Sequence, residues 1–140
     1  MKKCLLIVFT VLFLIGTVVF FSLWQRERAS AGMAKTLAQA NAVCAYESFQ
    51  RYAETGKESD YMNGAAEFHT FTQIFCHVMR TDSFEQAACN EVYAYMTISP
   101  DKVKAHMEEL LDALEILSQD CYHANGYQKL SNLEHHLAED

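Results

Sequence analysis

One proline and five glycines in 140 residues argue against both a disordered chain and a turn-rich all-β fold, and the hydrophobic fraction of 51% is inflated by the N-terminal segment. Charge is divided: residues 1–32 carry Lys2, Lys3, Arg26 and Arg28 against Glu27, whereas residues 33–140 carry 7 Lys or Arg against 17 Asp or Glu, a net of −10. So acidic a domain is repelled by phosphate backbones and anionic lipid surfaces, which argues against nucleic acid as a partner.

After a short N-terminus of residues 1–3, Cys4–Trp24 is a run of 21 uncharged residues rich in Leu, Ile, Val and Phe. At about 1.5 Å per residue a helix of that length spans roughly 30 Å, the hydrocarbon thickness of a bilayer. Trp24 stands where an aromatic ring prefers the interface, and Gln25-Arg26-Glu27-Arg28 ends the run sharply. The expectation is a single-pass transmembrane signal-anchor at 4–24, with the lipid bilayer as its partner, then a juxtamembrane linker at 25–32. With only three residues ahead of the span, the N-terminus is expected in the cytoplasm and residues 33–140 outside the cell membrane. The rival reading is a cleaved signal peptide, with Lys2-Lys3 as its basic start and a cleavage site after Ala31 in Ala29-Ser30-Ala31, releasing a secreted helical protein. The apolar run exceeds the ~7–15 residues of such a peptide, and two arginines precede the site, which favours the uncleaved anchor.

Residues 33–140 read as an all-α, acidic, up-down-up-down four-helix bundle with a short fifth helix at its C-terminal end. The first helix is predicted from about Gly32 to Glu54, with Leu37, Ala40, Cys44, Phe49 and Tyr52 at helical spacing and Thr55-Gly56 as its stop. The second, with Phe68, Phe71, Phe75 and Val78 on its apolar face, starts either at a Ser59 cap or after an Asn63-Gly64 turn, and ends near Arg80. The third opens on a capping box, Asp82 with Glu85 or Ser83 with Gln86, and ends near Ile98. The fourth has Ser99 as N-cap, Pro100 at N1 and Asp101 on the positive end of the helix dipole. Its seam, Val103, Met107, Leu110, Leu114, Leu117 and Cys121, keeps a 4-3-4-3-4 spacing up to a stop at Asn125-Gly126. Tyr127–Glu139, with Leu130, Leu133 and Leu137, forms the fifth. A faint 45-residue repeat aligns Cys44 with Cys89, Lys57 with Lys102, Met62 with Met107 and Cys76 with Cys121.

Four cysteines outside the anchor invite a disulfide reading. Cys76 and Cys89 lie six and seven residues from the turn near Asp82 and so sit level. Cys44 and Cys121 are mismatched by roughly 12 Å at helical rise. The best candidate for a disulfide, Cys76–Cys89, stands behind the reading of all four as buried thiols filling core positions, because Cys121 occupies a seam position.

The histidines are His69, His77, His106, His123, His135 and His136, and none belongs to the Glu-x-x-His element of two-metal bundles. Asp120 with His123, and Glu134-His135-His136, read as solvated helix ends, while His69 and His106 approach the core. No metal site and no cofactor are expected. Nucleophile elbow, P-loop, dinucleotide and zinc-protease motifs are all missing. Glu108, Glu109, Asp112 and Glu115 read as a solvated helix face, so no catalytic residue is assigned and the chain is not expected to be an enzyme. Tyr46, Phe49, Tyr52, Phe68, Phe71 and Phe75 read as core, with a ligand pocket between helices as the alternative.

The order of anchor, long helix, Thr55-Gly56, a few polar residues, Tyr61 and a second helix resembles the extracytoplasmic helical bundles of bacterial sensor proteins. The resemblance implies a bundle displayed outside a membrane. The chain departs from that family in having no second transmembrane segment and no kinase, cyclase or methyl-accepting region, so no functional residue carries over. The expected function is a membrane-anchored, non-enzymatic interaction module with a protein partner, and the alternative is a ligand- or cofactor-binding, sensor-like bundle.

Overall fold

The computed structural model describes the backbone of residues 2–79 and 84–139 and, within these, the side chains of residues 13–75 and 84–139. Among the described residues there are six helices and no strand: α1 (Lys2–Thr55), α2 (Glu58–Met79), α3 (Phe84–Ile98), α4 (Pro100–Ala105), α5 (Met107–Gln119) and α6 (Ala124–Glu139). The chain divides into two units, Met1–Met33 and Ala34–Asp140.

Between Phe13 and Leu23 the helix of the first unit exposes large apolar side chains around its surface: Phe13 is 76% exposed, Val18 68% and Phe20 72%. The two hydroxyls between Phe13 and Leu23 return to their own backbone, Thr17 Oγ1 donating to Phe13 O and Ser22 Oγ to Val19 O, each at 2.8 Å. Trp24 meets Phe21 at a tilt, 5.9 Å between ring centres, and carries the Arg28 guanidinium 4.0 Å from its own ring centre. Among the described residues no helix is long and apolar enough to cross a membrane. Of the run Cys4–Trp24, the side chains of residues 4–12 lie outside the described ones. Residues 25–32, expected as a linker and including Ala31, are helical.

The second unit is a helical bundle. Its part of α1 buries Ala38, Asn41, Ala42, Ala45, Ser48 and Phe49, the spacing of one helix face. That corrects the expected face, since Leu37 is 54% exposed and Ala40 and Cys44 also lie outside. The inward stripe is alanine-rich, and short side chains let this helix approach its neighbours where leucines would hold it off. Gly56 ends α1 in the left-handed conformation, φ +67°, with its N–H donating to Tyr52 O at 2.7 Å. Glu58 then starts α2, so neither Ser59 nor Asn63-Gly64 marks its beginning. Gly64 is instead buried inside the helix, where a Cβ would meet the Phe49 ring at 2.9 Å.

Asp82, Ser83, Val78 and Arg80, and with them the expected capping boxes, lie outside the residues whose side chains are described. Ile98 ends α3 as expected, and Ser99 and Pro100 stand at N-cap and N1 of α4, although the Ser99 hydroxyl makes no capping bond. The long fourth helix of the prediction is two helices. At His106 (φ −106°, ψ 30°) the backbone N–H is shared between Lys102 O and Val103 O. Only one residue leaves the helical ladder, so Val103, Met107, Leu110, Leu114, Leu117 and Cys121 are all still buried.

The predicted stop at Asn125-Gly126 is also corrected: α5 ends at Gln119, and Gly126 lies in the first turn of α6, against the Leu117 side chain. Far from being an appendage, α6 packs on both α3 and α5 and buries Tyr127, Leu130, Leu133 and Leu137. The 45-residue repeat has no structural counterpart, because Cys44 and Met62 are exposed while Cys89 and Met107 are buried.

Candidate functional site

Most of the aromatic residues build core. Phe49, Phe68, Phe71 and Phe75 are buried, with Tyr46 and Tyr52 packed against them. Phe49 and Tyr52 each set an edge on Tyr61, at 5.6 and 5.4 Å between ring centres, and Phe75 stacks on Tyr127 at 5.0 Å. Burial pushes the Tyr61 and Tyr127 hydroxyls far above the ordinary phenol range. Each donates to a backbone carbonyl, Tyr61 to Met96 and Tyr127 to Cys121.

Polar chemistry gathers where α5 meets α6. His106 occupies the junction between α4 and α5, and Glu109 stands one turn further on, the i, i+3 spacing that puts two side chains on one face. The packing of α6 on α5 brings His136 to the same carboxylate. His106 Nδ1 lies 2.9 Å from Glu109 Oε1 and His136 Nδ1 lies 2.7 Å from Oε2, with the two imidazole centres 6.1 Å apart. His106 and Glu109 are half-buried and His136 is exposed. The hydrogen bond from His106, reinforced by that from His136, holds the Glu109 carboxyl below its ordinary range and so keeps it ionised.

Beside this cluster runs a groove of about 500 Å³, with Tyr52 and Gly56 on one wall and Lys104, His106 and Glu109 among the residues of the other. Lys104 is already engaged. Its Nζ sits 2.9 Å from both Glu58 oxygens and 4.9 Å from the centre of the Tyr61 ring. Lys102 donates to Leu137 O at 3.1 Å. Two imidazoles and an ionised carboxylate can hold a proton or a cation, with the nearby cations committed to other partners.

The expected solvated face is thus correct for Glu108, Asp112 and Glu115, all exposed, but Glu109 is drawn out of it. Asp120 and His123 are both exposed, as expected of a solvated helix end, and the Asp120 carboxylate accepts the Tyr122 N–H at 3.1 Å. His135 is exposed, 3.8 Å from Glu134, and His77 lies outside the described side chains. His69 stacks on Tyr93 with 4.2 Å between ring centres, and its Nδ1 is buried without a hydrogen-bond partner.

The side chain of Cys76, and with it the candidate Cys76–Cys89 bridge, lies outside the described residues, and Cys89 is buried. The reading of four buried thiols fails at Cys44, a free and exposed cysteine on the outer face of α1. Sequence reasoning leaves Glu109 on the solvated face and His106 near the core, and nothing local points from either to His136, 27 residues beyond Glu109. No protein-family model, curated protein or solved structure matches the chain.

Proposed function

We propose that the protein is a single-pass membrane protein that displays an acidic helical bundle outside the cell as a non-enzymatic interaction module. One observation carries the reading: a helix with Phe13, Leu14, Ile15, Val18, Val19, Phe20, Phe21 and Leu23 each at least half exposed leaves large apolar side chains with nothing covering them. Such a surface is stable only against another apolar phase, and its polar hydroxyls are already satisfied internally, as a hydrocarbon environment demands. Trp24 with Arg28 above it supplies an interfacial anchor of the usual kind. The net charge of −10 over residues 33–140 suits a partner with a basic face. The likeness to sensor-protein bundles belongs to the same reading, with Gly56 at the turn between the first two helices.

Membrane fractions washed in alkaline carbonate are expected to retain the whole chain, and a membrane-impermeant maleimide added to intact cells is expected to modify the exposed Cys44. Release by carbonate removes the anchor from the proposal. Modification of Cys44 only after lysis reverses the orientation.

A further inference from the structure

We propose that His106, Glu109 and His136 form a binding site for a divalent transition metal of the zinc type, with a fourth position left open to water or to a ligand on the partner. Each residue offers one ligating atom, and the three atoms lie within 4.8 Å of one another. Zinc bonds of about 2.0–2.2 Å in a tetrahedron place ligand atoms roughly 3.4 Å apart, so closure needs shifts of only about an ångström. Glu109 and His136 carry partly exposed side chains that can make such shifts without disturbing the core.

The backbones beneath them are fixed. Leu110 on α5 and Leu133 and Leu137 on α6 are fully buried, which sets the distance between the two helices that share the site. Two imidazoles and one carboxylate are a recurrent three-ligand zinc set. They do not suit calcium or magnesium, which require a shell of oxygens.

Charge is favourable as well. The dication would enter a domain of net charge −10, with Lys104 held by Glu58 and Lys102 directed at a backbone carbonyl. In the metal-free protein the same groups form a hydrogen-bonded staple, His106 and His136 each engaging one oxygen of Glu109.

The test uses the full chain in mild detergent, stripped with a chelator and titrated with Zn²⁺ against a chromophoric competitor, then with Co²⁺ as a spectroscopic substitute. The expected result is one equivalent bound, weakening as pH falls. Visible bands of four-coordinate cobalt should appear without thiolate-to-metal charge transfer. Glu109→Gln and His136→Asn should each weaken binding at least about tenfold. His135→Asn, at the exposed neighbouring position, should leave it unchanged. Helical circular dichroism of each variant confirms that the bundle persists. No stoichiometric binding, equal binding in E109Q and H136N, or a cobalt spectrum dominated by thiolate overturns the proposal and leaves the cluster as a staple.

Discussion

Gln39 receives the backbone N–H of Cys121 on its side-chain carbonyl at 2.8 Å. Its amide nitrogen, in turn, donates to Leu117 O at 3.1 Å and to Ser118 O. The last carbonyls of a helix have no partner within it; at the end of α5 the Asp120 N–H closes on Ile116 O, and a side chain from α1 serves Leu117 and Ser118. Replacing Gln39 with Met keeps the length of the side chain and removes every one of these Gln39 bonds. The variant is expected to unfold in denaturant with a loss of about 2–3 kcal/mol, measured on the full chain in mild detergent. An unchanged midpoint would show that water satisfies those carbonyls equally well.

Gly126 is held by crowding. A Cβ at this position would lie 2.6 Å from the Leu117 side chain, which is itself fully buried. Gly126→Ala should therefore destabilise the protein by about 1–3 kcal/mol, although alanine is the better helix former. Leu117→Ala alone should lose about 2–5 kcal/mol through its cavity. The double variant places the new methyl in the space vacated by leucine, so its loss should be smaller than the sum of the two. Strict additivity in that cycle would sink the crowding argument.

Stability should depend on pH through Glu109. Its carboxyl lies below the ordinary value of 4.5, so the folded protein gains stability from it above that pH and loses that stability as pH falls through the depressed folded-state value. Glu109→Gln removes the gain. Wild type and variant should differ most in neutral solution and converge in strong acid, by less than about 1 kcal/mol because the site is open to solvent. Parallel melting curves from pH 3 to 7 with a constant offset would contradict this.

The thiols should separate by reactivity. Cys44 is exposed, whereas Cys121 is buried and its thiol is pushed upward in pKa mainly by that burial. With reduced protein in detergent, alkylation mapped by mass spectrometry should mark the Cys44 peptide at least about tenfold faster than the Cys121 peptide. Equal rates would mean that the C-terminal end of α5 opens readily.

Sequence and structure agree where local chemistry decides. The 4-3-4-3-4 seam from Val103 to Cys121 is buried throughout, and Gly56 and Ser99-Pro100 punctuate the chain where their backbone preferences require. They part where tertiary packing decides. Leu37 and Cys44 offered a plausible apolar face, but Ala38, Ala42 and Ala45 pack closer. Neither glycine nor proline marks the interruption at His106, and Gly126 looked like a stop because its real role, making room for Leu117, depends on another helix. Glu109 was indistinguishable from its solvated neighbours until α6 carried His136 to it.

The place of α6 also bears on how the chain is made. Val92 and Met96 of α3 and Leu110, Leu114 and Leu117 of α5 share one core with Tyr127, Leu130, Leu133 and Leu137 of α6. As the polypeptide is synthesised from its N-terminus, α3 and α5 emerge with those apolar faces uncovered and stay so until α6 follows. The core therefore closes late, and a ribosome stalled before Ala124 would hold a chain that cannot complete its fold and is exposed to aggregation and proteolysis.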